Sequence, residues 1–333
     1  MTRRLGAMAA FTAIAVAAAG CGKQSPLDPQ SGPAHDIATL WWWLFAIASL
    51  FFLGTVSLLL TSWLLRKREG IPLLGKSPTL TTGLVVVFGI AVPAIVLIGV
   101  FVVSDLVVID KTEAPRAATT NLTVRVIGHQ WFWEVRYGDT TAVTANEIHI
   151  PVKTRVNMVG TTADVIHSFW VPQLNRKIDL VPGHPNRILL YADRPGRYRG
   201  QCAEFCVLQH AHMSTYVFAD PPDRFQAWLA QMKKPAPAPR TAAEREGEQV
   251  FLANQCASCH TIRGTAARGQ VGPDLTHLQT RTTLAALTIP NSDANLRSWV
   301  RDPQHIKPGN KMPAIDLSGP DFEHLLAYLE SLR

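Results

Sequence analysis

Apolar and polar positions are distributed on two different scales along this chain, long uncharged runs first and short alternating ones afterwards. From Leu40 to Leu65 the run opens on Trp41, Trp42 and Trp43, continues in Leu, Phe, Ile and Ala, and closes on Arg66-Lys67-Arg68. A helix of about 20 residues crosses the hydrocarbon of a bilayer. The pattern therefore predicts one membrane span at about 40–65 and a second at about 80–103. Pro93 lies inside the second, where it would kink the helix and leave a carbonyl for neighbouring helices to satisfy. Between the spans, Arg66, Lys67, Arg68 and Lys76 face Glu69 alone, which places that loop in the cytoplasm and the residues after Asp105 outside it.

From Asn121 the period shortens. Leu122–Ile127 alternates, Trp131–Tyr137 is aromatic and β-friendly, and Glu147–Ile150 stops at Pro151. Further runs cover 155–159 and 187–191, separated by Pro, Gly and Asn turns. Short strands without convincing helices predict an all-β sandwich or barrel of about 110 residues. Lys233-Lys-Pro-Ala-Pro-Ala-Pro-Arg240 then reads as an extended, semi-rigid spacer. Beyond it the pattern turns helical, with Asn295–Pro303 and the amphipathic Asp321–Leu332 as helices. The expected organisation is 1–20 an export signal, 21–110 a membrane hairpin, 111–232 a β-domain, 233–243 a linker and 244–333 an all-α domain.

At the amino terminus, Met1-Thr-Arg-Arg4 precedes an apolar run through Ala19, the layout of an export signal. It ends on Ala18-Ala-Gly-Cys21, which resembles a bacterial lipoprotein signal whose cysteine is lipidated; ordinary cleavage nearby is the alternative. A net charge of +7 is spread without a long basic block or a nucleic-acid module, so no nucleic-acid partner is expected.

The remaining four cysteines carry the chemistry. Cys202 and Cys206 lie beside His210, His212 and Met213, and His167 comes from a separate strand end. Soft S and N donors at this density select copper, zinc or iron–sulfur over hard cations. Two thiolates can bridge two metals, so a dinuclear copper centre fits better than a mononuclear one; a zinc knot and a pair of disulfides are the bland alternatives. By composition alone His212 rivals His210. Cys256-Ala-Ser-Cys-His260 is a haem c attachment motif, with both thiols adding to the porphyrin and His260 ligating the iron. Low-spin haem in a carrier takes a second axial ligand. Met312 in Lys311-Met-Pro313 offers it, with His277, His305 and His324 as rivals on chemistry.

The order His167, Cys202, Glu204, Cys206, His210, Met213, together with Gly128–Trp133 and Val165–Gln173, resembles subunit II of haem–copper cytochrome c oxidases. The segment after residue 244 resembles class I cytochrome c, and the fusion resembles the caa3-type arrangement, over residues 35–333. The resemblance implies a cupredoxin-like Greek-key fold holding the dinuclear copper centre CuA. It implies that Cys202 and Cys206 bridge both coppers, that His167 and His210 each bind one, and that Met213 and the Glu204 carbonyl complete them. The Glu204 side chain is implied to reach a magnesium ion at the subunit I interface, where Asp179 and His184 also lie. Trp131, which on its own could equally be a core residue, is implied to be where electrons reach the copper. His212 is given no metal role. The implied activity is cytochrome c oxidation, with electrons passing through haem c and CuA to subunit I, where oxygen is reduced with proton pumping. Implied partners are subunit I and further oxidase subunits, membrane lipid, and a cytochrome c or bc1-type complex as donor, at the periplasmic face of a bacterial plasma membrane. An anchored electron shuttle or copper-handling protein outside any terminal oxidase is the alternative. Val86 and Gly89 depart from the family, many of whose members carry glutamate and tryptophan there.

Overall fold

The computed structural model describes residues 24–65, 77–114, 120 and 122–333. The expected export signal, Cys21 and the basic loop at 66–76 lie outside the described residues.

Helix α1 (Gly32–Leu65) starts well upstream of the expected span. Ser31 explains the early start: its hydroxyl accepts the Ala34 N–H at 3.1 Å, and Pro33 sits in the first turn. The Ser31 hydroxyl also donates to the Leu174 carbonyl, so the helix leaves directly from the β-region. Helix α2 (Pro78–Thr112) begins at a Ser77 cap and also outruns its expected span. A wide π-helical turn at Val87–Ala91 precedes Pro93. That turn includes Gly89, four residues back, where the proline ring would press on a regular helix. Lys111 joins Asp36 at 3.3 Å and ties the foot of α2 to the start of α1. Both helices are long and apolar enough to cross a membrane. Their flanks are bare: Leu50, Leu58 and Phe101 are each more than 70% exposed, a surface that needs lipid or other helices against it.

Ten strands follow: β1 (Thr123–His129), β2 (Phe132–Tyr137), β3 (Val143–Ala145), β4 (Glu147–Pro151), β5 (Val156–Thr162), β6 (His167–Trp170), β7 (Ile178–Leu180), β8 (Asn186–Leu190), β9 (Gly196–Cys202) and β10 (Ser214–Asp220). They form two five-stranded sheets, ordered β3-β2-β1-β5-β8 and β4-β10-β9-β6-β7. β1 runs parallel to β5 and β4 parallel to β10, and the other pairs are antiparallel. Strand alternation fills the core: Val124 and Val126 point in and Arg125 points out. Trp133, Ile148, Met158, Leu180 and Val217 complete it. Helix α3 (Pro222–Met232) closes the sheets with Phe225, Leu229 and Met232, and its Trp228 ring meets Tyr137 at 5.0 Å.

The C-terminal region is mainly helical, with a second core of its own. Helix α4 (Ala242–Ala253) opens on a capping box between Thr241 and Glu244. A helical turn spans Cys256–Cys259, and helices α5 (Asp293–Arg301) and α6 (Gly319–Ser331) follow. A small ribbon, β11 (Thr283–Leu284) with β12 (Ile289–Pro290), interrupts the helical pattern. The Pro/Ala segment does not swing free. Lys234 offers its carbonyl to His277 Nε2 at 3.1 Å, and the Ala236 N–H donates to Arg263 at 2.8 Å.

Helices α4 and α6 meet where Gly247 lies under His324 and Tyr328, and a methyl on Gly247 would overlap the His324 carbonyl. Gly247→Ala should destabilise this region by about 1–3 kcal/mol. Thermal unfolding followed by helix ellipticity reads the loss, and an unchanged midpoint would contradict this packing.

Candidate metal centre and the cavity beside it

The sulfur and nitrogen donors singled out in the sequence converge at the ends of β6 and β9. Strand β9 finishes on Cys202, the chain loops out to Met213, and β10 carries it back. The Cys202 N–H closes that loop on the Met213 carbonyl at 2.9 Å. Strand β6 lies next to β9, with Phe169 paired to Cys202, and so brings His167 alongside. The two sulfurs are 3.7 Å apart, well beyond the roughly 2.05 Å of a disulfide. His167 Nδ1 lies 3.8 Å from Cys202 Sγ, and His210 Nδ1 lies 3.7 Å from Cys206 Sγ. Met213 Sδ is 3.9 Å from Cys206 Sγ, and the Glu204 carbonyl is 3.2 Å from Cys202 Sγ. His167, Cys206 and Met213 are fully buried and Cys202 nearly so. His212 is exposed, and Asp179 and His184 sit on open surface at β7 and just beyond it.

Electrostatics suit thiolate ligation. The hydrogen bond from Cys206 holds the Cys202 thiol down at about 3, helped by His167. The same sulfur–sulfur contact, with burial, pushes Cys206 up. Asp164 accepts from His167 Nε2 at 2.9 Å, which fixes the ring with Nδ1 toward the sulfurs. Its carboxyl stays low because it also accepts the Gln130 and Val165 N–H groups, outweighing burial. Gly128 lets β1 lie flat on this ring: a Cβ there would come within 2.7 Å of His167.

Trp131 belongs to this centre and to a second one. Its indole N–H donates to the Cys206 carbonyl at 2.7 Å, and Gln130 adds a bond of 3.3 Å to the same oxygen. Trp131 also lines a cavity of about 330 Å³ that contains Cys256, Cys259, His260 and Met312. His260 Nδ1 is bonded to the Pro273 carbonyl at 2.8 Å, which leaves Nε2 free as a ligand. Burial pulls the His260 imidazole below its ordinary value and keeps it neutral. Gly272 packs flat against the ring, where any Cβ would collide. Arg281, buried on the cavity wall, keeps an unpartnered Nε, a donor suited to an acidic group of a bound cofactor. Of the three rival histidines none lines the cavity: His277 bonds to Lys234, His324 pairs with Glu246 at 3.0 Å, and His305 is exposed. These donor sets fit copper in the first centre and a covalent haem in the second.

Sequence reasoning gave no role to Asp164, Gln130 or Arg281. Only Asp164 carried a signal, as a carboxylate three residues before a ligating histidine.

Fold and donor sets together define a chain with two membrane-length helices, a soft-metal cradle and an adjoining haem-type cavity. Residues 141–219 match the model of the cytochrome c oxidase subunit II periplasmic domain, and residues 244–333 match that of cytochrome c. The chain is 39% identical to cytochrome c oxidase subunit 2 of Alkalihalophilus pseudofirmus over 225 residues, 67% of this chain and 65% of that protein. It is 34% identical to the same subunit of Branchiostoma floridae over 164 residues, 42% of this chain and 69% of that protein. It also aligns with the periplasmic domain of cytochrome oxidase subunit II of Bradyrhizobium japonicum at 30% identity and a TM-score of 0.33, covering 34% of this chain and 95% of that one. The chain belongs to the cytochrome c oxidase subunit 2 family, and it carries a cytochrome c region behind the subunit II region. The two matched families imply copper in the first and haem c in the second.

Asp164→Ala should weaken copper retention by about 10- to 100-fold, the usual cost of losing the partner that orients a ligating histidine. Copper left on the protein during titration with a chelator measures it, and retention equal to wild type would contradict the assigned role of Asp164.

Proposed function

We propose that this chain is subunit II of a caa3-type cytochrome c oxidase. On this reading it carries electrons from an external reductant to the oxygen-reducing site of subunit I, where oxygen becomes water and protons are pumped. One observation carries the reading: Trp131 lines the cavity holding Cys256, Cys259, His260 and Met312 and also hydrogen-bonds the backbone of Cys206.

When bound, haem c and a dinuclear copper centre would each supply one-electron redox chemistry. Around them the chain's own residues have defined tasks. The Cys256 and Cys259 thiols would tether the haem, and His260 and Met312 would hold its iron, a thioether raising the potential. Cys202, Cys206, His167, His210, Met213 and the Glu204 carbonyl would hold the coppers. His167, Cys202, Cys206 and Met213, buried at or beside strand ends, would stay in place when the charge of the centre changes, and few waters would have to turn. Trp131 offers a conjugated ring between the two sites. The Glu204 carboxylate is free to reach a magnesium ion shared with subunit I.

Helices α1 and α2 would sit in a bacterial plasma membrane against subunit I, other oxidase subunits and lipid, with the β-region and C-terminal region on the periplasmic face. The basic residues between the helices support that orientation. A soluble or membrane-bound cytochrome c, or a bc1-type complex, is the donor class that matches a one-electron haem acceptor.

The purified protein should hold a pair of coppers and a single haem c per chain, and should co-purify with a many-helix haem subunit that consumes oxygen. Cys206→Ser should abolish the purple and near-infrared absorption of shared-valence copper while the haem bands persist. Met312→Ala should remove the absorbance of Met–Fe(III) ligation and leave the copper spectrum alone. Zinc in the first centre, or an unchanged spectrum in either variant, would contradict the assignment.

A further inference from the structure

Lys307 is 3% exposed, and among the described residues no carboxylate pairs with it. Its ammonium points instead at three backbone carbonyls: Trp131 at 3.0 Å, His212 at 2.9 Å and Ala285 at 3.2 Å. A lysine ammonium has three N–H donors, and all three are used. Two of the acceptors belong to the β-region, at the aromatic residue and the rim of the metal loop; the third belongs to the C-terminal region. Burial is costly for this group and pushes it down to about 7.

A reciprocal contact runs the other way. Glu147 on β4 is also 3% exposed. Its carboxylate accepts the Thr282 and Thr283 N–H groups at 2.8 and 3.2 Å, and their hydroxyls at 2.6 and 3.3 Å. Each region thus buries the polar end of one side chain against groups of the other. Arg281 of the C-terminal region attracts Glu147 across the seam and Cys206 of the β-region attracts Lys307, so both groups are satisfied only while the two regions stay docked in this register. Separation would return both to water, and a small sliding would leave both buried without partners, the more expensive outcome. The Gln209 side chain, donating to the Pro308 carbonyl, lies on the same seam.

We propose that Lys307 and Glu147 form a reciprocal lock that holds the C-terminal region on the β-region in the register where the cavity faces Trp131. Lys307 is on this account a positioning residue: it sets the separation across which an electron passes but takes no part in the redox chemistry. The inference rests on the function proposed above. Transfer between the two centres falls steeply with distance, so a seam held at two points keeps the rate high and uniform. A tether alone would raise only the local concentration of one region near the other.

The test uses the purified oxidase complex with Lys307→Met, which keeps an unbranched stem but removes the ammonium, and separately Glu147→Gln. Copper and haem spectra are recorded first. Hydrogen exchange by mass spectrometry then follows the peptides containing Trp131 and Thr282–Ala286, and flash reduction of haem c gives the rate at which copper is reduced. With spectra unchanged, each variant should speed exchange in those two peptides and slow the transfer by about tenfold or more. Unchanged exchange and rate would overturn the lock. So would exchange that rises throughout α4 and α6, because Lys307 would then only be stabilising its own region. If Lys307→Met fails to assemble, Glu147→Gln decides alone by the same two readouts. Wild-type protein lacking copper or haem would instead overturn the proposed function, a separate failure visible in the first spectra.

Discussion

The indole N–H of Trp131, 2.7 Å from the carbonyl of Cys206, joins two centres that the chain encodes far apart. On one side of that bond lie two sulfurs, the His167 imidazole and a thioether, all buried, with the half-buried His210 beside them. On the other lies a cavity with paired thiols, a neutral imidazole and a second thioether. The rest of the structure is arranged so that this bond forms. Strand β1 approaches β6 closely because Gly128 has no side chain to hold them apart. Asp164 reaches back to bond the Gln130 N–H, next to Trp131, and forward to His167, so that the segment carrying the aromatic residue and the His167 ring hang from one carboxylate.

Buried polar groups have to be satisfied, and the ends of Lys307 and Glu147 are satisfied across the boundary between regions. The cradle is apolar at its back, where Trp133 packs on His167 and Phe169, and Lys307 and Glu147 lie along the seam. A single apolar interface would hold the regions together as firmly but would tolerate sliding. Charged groups pointed at particular carbonyls and N–H groups do not tolerate it, because each slip strands a donor or acceptor. The Pro/Ala segment follows the same logic: it is pinned to Arg263 and His277 and so shortens the path between α3 and α4.

Much of this was legible in the sequence, for reasons that are local. The runs at 122–127, 131–137, 147–150, 155–159 and 187–191 became β1, β2, β4, β5 and β8, because alternation with β-branched residues records a half-buried strand directly. The spacings of Cys202, Cys206, His210 and Met213 and of Cys256, Cys259 and His260 survive as spatial clusters because each lies within one loop or turn. Other features were not legible. Strand β9 is Gly-Arg-Tyr-Arg-Gly-Gln-Cys, whose arginines conceal it until β10 pairs alongside. Helix α1 starts in polar sequence because Ser31 is fixed by Leu174, more than a hundred residues away. Lys307 finds only backbone carbonyls, which carry no residue identity that a sequence could reveal, and Glu147 finds N–H groups and hydroxyls more than a hundred residues away.

The central claim is that the two centres communicate through Trp131. The most direct measurement is the rate of copper reduction after flash reduction of haem c in Trp131→Phe, which keeps a ring in place but removes the N–H bonded to Cys206. With both cofactor spectra unchanged, the account predicts transfer slowed by about tenfold or more. Transfer at the wild-type rate would contradict it.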